Sequence, residues 1–583
     1  MDTALETAAS TAVEEPMYEW NNLPWIQVER QVFKLQTKIY RASQRGDVRA
    51  VHRLQRLLMA SRAAKCLAVR KVTQDNRGKK TAGVDGVKSL SPERRSALAA
   101  TLTLRPEAQP ARRVWIPKPG SEEKRPLGIP VMRTRTEQAL AKLTLEPEWE
   151  ARFEANSYGF RPGRSAHDAV EAIFNGIRFK PKYVLDADIA KCFDRIDHHA
   201  LLDKLRTTTR LRRAVRGWLK AGVVDDGALF PTEKGTPQGG VASPLLANIA
   251  LHGLETAIRD TFPVTAVVNG RRVCPWQPIV IRYADDFLVL HGDRTVIERC
   301  QRIATAWLAD MGLELKPSKT RITHTLQETG GNVGFDFLGF AVRQHPVGKT
   351  HSGKNTVGKP LGYKTIITPS DEAVHRHTRA MSSVIRAHKG ASQAALIGHL
   401  NPVIRGWVNY YATVVSKRTF SKLDTITYAQ LQSWARRRHS SKSGLWVARK
   451  YWRLEHGRWT FGTTDGYTLA KHSAKPIRRH TKVEGAKSPF GGEWVYWATR
   501  LGRHPELPRD VATLLKRQKG RCARCGLFFR SEDLREKDHI HPIVSGGTDA
   551  PFNRHLLHGH CHDDKTARDG SYAVRGARDN RAR

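Results

Sequence analysis

The adjacent carboxylates of Tyr283-Ala284-Asp285-Asp286 stand inside a strongly apolar run from Ile279 to Leu290. With Val280-Ile281 before them and Phe287-Leu288-Val289-Leu290 after, they read as the tip of a tight β-hairpin. Two like charges placed together in such a setting are costly unless a cation neutralises them. Oxygen-only ligands suit Mg²⁺, and two such ions about 3.5–4 Å apart can clamp the attacking and leaving oxygens of a phosphoryl displacement. The pair points to nucleotidyl transfer, the plainer alternative being an acidic turn that binds nothing. A third carboxylate strengthens the case: in Tyr183-Val184-Leu185-Asp186-Ala187-Asp188-Ile189 the period of two places Asp186 and Asp188 on one face of a strand, ahead of a helical start near Asp197-His198. A second donor set lies far downstream. Cys522-x-x-Cys525 and His558-x-x-Cys561 have the paired spacing of a tetrahedral structural Zn²⁺ site.

The elements that must hold these groups can be read coarsely. Residues 20–73 carry apolar positions at three- and four-residue spacing, among them Val28, Val32, Leu35, Ile39, Leu54 and Leu58, and read as helices. Residues 74–365 read as a mixed α/β body, 366–449 as helical, 450–509 as an aromatic and basic region ending in a linker marked by Pro476, Pro489, Gly491, Gly492, Pro505 and Pro508, and 510–583 as a small terminal domain. A chain of 583 residues needs several cores, and its net charge of +42 calls for a polyanion partner. No uninterrupted apolar run reaches the length of a membrane span. Seven cysteines are too sparse for a disulfide scaffold and fit a reducing compartment. Residues 1–19 read as disordered rather than as a secretory or organellar leader, so a bacterial or archaeal cytoplasm, close to the nucleoid, is the expected setting.

The ordered blocks of the chain resemble the group II intron-encoded proteins over nearly its whole length. Asp188-Ile189 with Phe193, followed by Tyr-Ala-Asp-Asp, is similar to a reverse transcriptase palm. Around it stand Lys79–Gly86, Arg112-Arg113-Val114-Trp115-Ile116-Pro117-Lys118, Lys124–Pro130, Ser157-Tyr158-Gly159-Phe160-Arg161-Pro162-Gly163-Arg164-Ser165, Gly235-Thr236-Pro237-Gln238-Gly239-Gly240, Lys316-Pro317-Ser318-Lys319-Thr320 and Phe335–Phe340. The resemblance implies a right-hand polymerase with α/β fingers and palm and a helical thumb. It selects Asp188 over Asp186 and makes Asp188, Ile189, Asp285 and Asp286 the positions that bind two Mg²⁺ ions. It assigns Arg112, Lys118 and Arg125 to the triphosphate of the incoming dNTP, Phe193 to rejection of a 2′-hydroxyl and Gln238 to nucleotide contact. Lys319 is a candidate general acid for pyrophosphate, with a purely structural role left open.

Leu400–Tyr411 resembles the maturase signature of the thumb, which implies binding of structured intron RNA. Beyond it, Trp434-Ala435-Arg436-Arg437-Arg438-His439, Lys450-Tyr451-Trp452-Arg453 and Arg458-Trp459 interleave rings and cations as irregular nucleic acid requires. The same pattern also fits Trp side chains packed in a helical core. By position it resembles the family's DNA-binding region. The last unit, with Asp538-His539-Ile540-His541-Pro542, Asn553 and Cys561-His562-Asp563, resembles an HNH endonuclease of ββα-metal type. That likeness makes His539 the general base, Asp538 and His562 ligands of one divalent cation, and Asn553 a residue that fixes the base or assists the metal. Cys522, Cys525, His558 and Cys561 would hold the zinc, with His560 an open substitute for His558.

The implied function is a multifunctional intron-encoded protein. It would bind its intron RNA, assist splicing, nick target DNA and copy the inserted RNA from the nicked 3′ end. A splicing-only maturase and a host-adapted defence reverse transcriptase are the alternatives; the intact carboxylates weigh against the first, and the thumb signature together with the HNH unit against the second.

Overall fold

The computed structural model describes residues 20–117, 124–262, 266–268, 271–273, 277–455, 457–491, 496–497, 500, 509–530 and 533–569. Residues 1–19, Lys118, Cys274, Gly492, Pro505 and Pro508 lie outside them. Among the described residues, no helix is long and apolar enough to cross a membrane. The fold is mixed α/β, built as several packed units.

A four-stranded antiparallel sheet runs in the order Arg321–His324, Tyr183–Asp188, Asp286–His291, Ile279–Tyr283. Its apolar residues split by parity between two cores. Leu185, Ala187, Val280, Phe287 and Val289 face one, while Val184, Ile281, Leu288 and Leu290 face the other. Burial on both faces explains why the run from Ile279 to Leu290 shows no polar alternation. Phe287, Leu288, Val289 and Leu290 are fully buried, which at about 1.5–3 kcal/mol each contributes roughly 6–12 kcal/mol to keeping the acidic turn in place.

The first core is completed by the N-terminal helices Trp25–Gln44, Val48–Ala60 and Arg62–Arg70, which wrap the long helix Met132–Glu150. Gln36 donates to Leu143 O (2.9 Å), Ser43 to Glu148 O (2.9 Å) and Gln55 to Glu148 Oε2 (2.6 Å), so polar pegs fix the register of this packing. A second four-stranded sheet runs in the order Lys124–Ile129, Ala111–Pro117, Val223–Asp225, Ala228–Phe230.

Helices Asp371–Ala387, Gln393–Tyr411, Lys417–Arg438 and Gly444–Tyr451 form the next unit. Leu400, Ile404, Val408 and Tyr411 are its buried stripe, and Trp407 stacks on His377 with ring centroids 4.8 Å apart. Trp434, Tyr451 and Trp452 join this core, whereas Trp446 and Trp459 are exposed. For the three buried rings the packing alternative therefore holds, and stacking on nucleic acid is open only to the exposed pair. The stretch read as a linker is also anchored where it is described: buried Asp168 accepts from Ser165 N (2.9 Å), Val483 N (2.8 Å), His480 Nε2 (3.1 Å) and Arg500, and Arg164 donates to Gly485 O (3.1 Å). The C-terminal unit is a two-stranded sheet, Arg535–His539 with Arg554–His558, flanked by helices Arg509–Arg517 and Gly559–Arg568.

Candidate active sites and metal centre

The register of the catalytic sheet sets Asp188 directly opposite Asp286 at its acidic end, with Asp285 in the two-residue turn. Asp188 is ion-paired with Lys319 Nζ at 2.7 Å, and its carbonyl accepts from Lys316 N at 2.8 Å, so the Lys316–Thr320 block is fastened along the site. Ile189 is buried and forms an antiparallel bridge with Leu315. Its neighbours Asp188 and Ala190 make the backbone bonds of that bridge, which turns the Ile189 carbonyl away from Leu315.

Electrostatics at this end favour a cation. Burial pushes the Asp286 carboxyl up to about 7, with further repulsion from Asp285 and Asp188 and partial relief from Lys319. Burial also raises Asp285; its own backbone bond opposes the shift, Asp188 adds to it, and Arg125 and Lys319 pull it back. Lys319 is raised by its bond to Asp188, which keeps it protonated. Two carboxylates that resist ionisation, Asp285 and Asp286, beside a third, Asp188, fit a site for divalent cations. Among the described residues, these three carboxylates do not form a group with one oxygen from each within 4.8 Å of the others.

Of the nucleotide-site candidates, Arg125 is exposed and its charge reaches Asp285. Arg112 Nε donates to Ala82 O at 3.1 Å and pins the Thr81–Val84 loop. Phe193 lies in the short helix Cys192–Arg195, its carbonyl accepting from Thr236 N at 2.6 Å, and its ring meets Phe160 edge-on at 6.3 Å. Gln238 accepts at its carbonyl from Gly128 N at 2.6 Å. The next residue, Gly239, has φ +114° and presses against Gly128 O, so the Pro237-Gln238-Gly239 turn depends on a missing side chain.

In the C-terminal unit, Cys522, Cys525, His558 and Cys561 are all buried, and one ligand atom from each lies within 4.8 Å of the others. Cys525 Sγ is 3.1 Å from His558 Nδ1, and the far nitrogen of His558 faces Asp533 at 3.5 Å. This group could hold a metal ion, with Asp533 fixing the tautomer and orientation of the ligating ring. His560 Nε2 lies 3.3 Å from Cys561 Sγ and 3.6 Å from Glu29 of helix Trp25–Gln44, so it stands at the edge of the set, facing the N-terminal helices.

Asp538 and His539 are consecutive in one strand and point to opposite faces. His539 Nε2 is 2.8 Å from Asp549 Oδ1. Asp538 is held by Lys565 Nζ (2.8 Å) and His555 Nε2 (3.2 Å), while His562 lies 3.8 Å from Asp563. Among the described residues, neither Asp538 nor His562 belongs to a three-donor group. Asn553 is buried; its amide donates to His541 O (2.9 Å) and Thr548 O (2.7 Å), and its Oδ1 accepts from His541 N (2.9 Å). It fixes the loop after His539 through the main chain. Sequence reasoning missed Asp533, Asp549 and Lys565, which no motif contains and which become neighbours only on folding.

Comparison with known proteins accords with this geometry. Residues 116–342 match the reverse transcriptase (RNA-dependent DNA polymerase) family, 20–102 the N-terminal domain of reverse transcriptase, 374–452 the group II intron maturase-specific domain and 522–568 the HNH endonuclease family. Protein YkfC of Escherichia coli (strain K12) is 33% identical over 322 residues, 49% of this chain and 82% of that protein. Group II intron-encoded protein LtrA of Lactococcus lactis subsp. cremoris is 28% identical over 397 residues, 55% of this chain and 63% of LtrA, just under two thirds of its length. An uncharacterized 91 kDa protein in the cob intron of Schizosaccharomyces pombe is 27% identical over 368 residues, 44% of its length. The matched families thus define a reverse transcriptase joined to a maturase-specific domain and an HNH endonuclease. The chain belongs to the group II intron-encoded proteins.

Proposed function

We propose that this protein binds its intron RNA, assists splicing, nicks target DNA through the HNH unit and primes reverse transcription from the nicked 3′ end, the sequence of events that returns an intron to DNA. The observation that carries this reading is the pairing of Asp188 against Asp286 beside Asp285, in one chain with the buried three-cysteine, one-histidine cluster. The reading takes residues 20–73 as a helical N-terminal extension of the fingers, 74–365 as fingers and palm, 366–449 as the thumb, 450–509 as the DNA-binding region and linker, and 510–583 as the nuclease.

Asp188, Asp285 and Asp286, with the Ile189 carbonyl, are the oxygens that would hold two Mg²⁺ ions. Bound there, the ions supply charge neutralisation at the reacting phosphate and lower the pKa of the attacking 3′-hydroxyl. Arg125, with Lys118 and Arg112, meets the triphosphate; Phe193 occupies the space a 2′-hydroxyl needs; Gln238 contacts the nucleotide; Lys319 is placed to donate a proton to pyrophosphate. In the nuclease, the Nε2–H of His539 is held by Asp549, which leaves Nδ1 basic for deprotonating water. Asp538 and His562 would bind its divalent cation after Lys565 releases Asp538. Three thiolates and an imidazole suit tetrahedral Zn²⁺. The charge of +42 supports residence with nucleic acid in the cytoplasm.

The test uses the protein assembled with its intron RNA, offered a double-stranded DNA target and dNTPs. The native complex is expected to nick and then extend; His539→Ala should abolish nicking yet extend a pre-nicked target. Extension of intact target by His539→Ala would overturn the assignment.

A further inference from the structure

Behind the Ala284-Asp285 turn lies a layer of buried polar groups that the metal-binding oxygens do not include. Arg282 is 4% exposed, and its Nη1 donates to Ala284 O at 3.2 Å and to Asn248 Oδ1 at 3.0 Å. Asn248, 2% exposed, donates in turn through Nδ2 to Gly159 O at 2.8 Å. Gly159 passes directly under the turn: a Cβ there would sit 2.9 Å from Ala284 Cα and closer still to its nitrogen. The main chains are cross-linked as well, Tyr158 N donating to Arg282 O and Arg282 N to Asn156 O, both at 2.9 Å.

Two features of this layer are costly. Ala284 has φ +57°, a left-handed conformation that crowds the Cβ of any residue but glycine. A buried guanidinium is disfavoured unless charges and acceptors compensate it; here burial lowers the Arg282 pKa, and Glu154 is the largest opposing influence, with Glu255 a smaller one. Strain and buried charge of this kind persist where the surroundings over-determine one geometry. The geometry over-determined here is that of the turn bearing Asp285. The same loop continues into Phe160, itself at φ +58° and 52% exposed, whose ring abuts Phe193.

We propose that Arg282, Asn248 and Gly159 form a brace that sets the height and backbone conformation of the Ala284-Asp285 turn, so that Arg282 and Asn248 are positioning residues for the metal-binding carboxylate of Asp285. This rests on the polymerase reading of that turn. Nη1 of Arg282 ties the carbonyl before Asp285 to Asn248, Asn248 ties it to the loop below, and the bare Gly159 allows the close approach. Loss of any one member lets the turn rise or rotate while both strands stay paired.

The experiment compares full-length native protein with Arg282→Lys, Asn248→Ala and Gly159→Ala, each bound to an RNA template and DNA primer. Mn²⁺ binding is read by electron paramagnetic resonance, the Ala284 and Asp285 amides by hydrogen exchange, and extension across a Mg²⁺ titration. Groups that orient metal ligands are worth roughly 10–100-fold in metal affinity or activity. A shift of that size is expected in Mn²⁺ affinity and half-saturating Mg²⁺, with faster exchange at the turn and unchanged template–primer affinity and DNA nicking. A merely structural role would instead lower thermal stability without moving the metal titration. Should Arg282→Lys not fold, Asn248→Ala and Gly159→Ala decide the matter. Variants that bind Mn²⁺ within twofold of native and exchange at the native rate overturn the brace. A native protein that binds Mn²⁺ but extends no primer, alongside variants that lose Mn²⁺, keeps the brace and overturns the polymerase reading.

Discussion

Replacing Cys525 with Ser removes one of the four donors that meet in the C-terminal unit, and the size of the effect follows from how little else holds that unit together. Apart from the cysteines, the buried apolar side chains of its core are, among the described residues, Val511, Leu514, Leu515, Phe529, Leu556 and Leu557. A core on this scale supplies at most about 3–5 kcal/mol of net stability, whereas a structural Zn²⁺ contributes on the order of 10–16 kcal/mol to small zinc-dependent folds at neutral pH. Loss of one thiolate therefore removes more than the core can replace, and residues 509–569 are expected to unfold while the rest of the chain stays folded. Hydrogen exchange and limited proteolysis, read beside metal content, check this: the amides of Leu556 and Leu557 should lose protection, nicking should vanish and primer extension should persist. Chelation of the native protein should reproduce the result. Because the thiols must be deprotonated to bind, metal affinity should fall as pH is lowered. A zinc-free Cys525→Ser protein with native protection at Leu556 and Leu557 would refute the reasoning.

Three further outcomes are expected. Lys319→Gln removes the cation paired with Asp188, so extension should slow at saturating Mg²⁺ while template–primer affinity is kept; an unchanged rate assigns Lys319 a structural role only. Asp168→Ala leaves the buried Arg500 guanidinium without its paired carboxylate, which should cost about 3–5 kcal/mol in denaturant unfolding and open residues 480–491 to proteases. His377 is pushed down to about 3 by burial and then by the adjacent His472; a folded-state pKa below the unfolded value of about 6.5 means the unfolded chain takes up the proton first. Stability should accordingly fall by up to about 1.4 kcal/mol per pH unit as pH drops from 6.5 towards 3, and His377→Phe should flatten that slope.

What could be read from the sequence was governed by local pattern. The alternation in Tyr183–Asp188 put Asp186 and Asp188 on one face, and the apolar run around Asp285-Asp286 announced a hairpin; the structure has those strands, with Asp188 opposite Asp286. The helical character of 20–73 and 366–449 was equally legible. Interleaved rings and cations are ambiguous by nature, since a buried helix face and a nucleic-acid surface share that spacing, and Trp434 and Trp452 were decided only by packing. Groups brought together only by folding left no local trace. Asp533 behind His558, Glu29 beside His560, and Asn248 between Gly159 and Arg282 carry no motif of their own. Arg112 shows the converse, a motif residue whose Nε is bonded to the Ala82 carbonyl.

The central claim is that Asp188, Asp285 and Asp286 carry RNA-templated DNA synthesis. Extension of a DNA primer on an RNA template, in Mg²⁺ and dNTPs, tests it most directly when native protein is set against Asp285→Ala/Asp286→Ala. The account predicts extension by the native chain, none by the double variant, and equal binding of intron RNA by both. Extension at the native rate without these two carboxylates would contradict it.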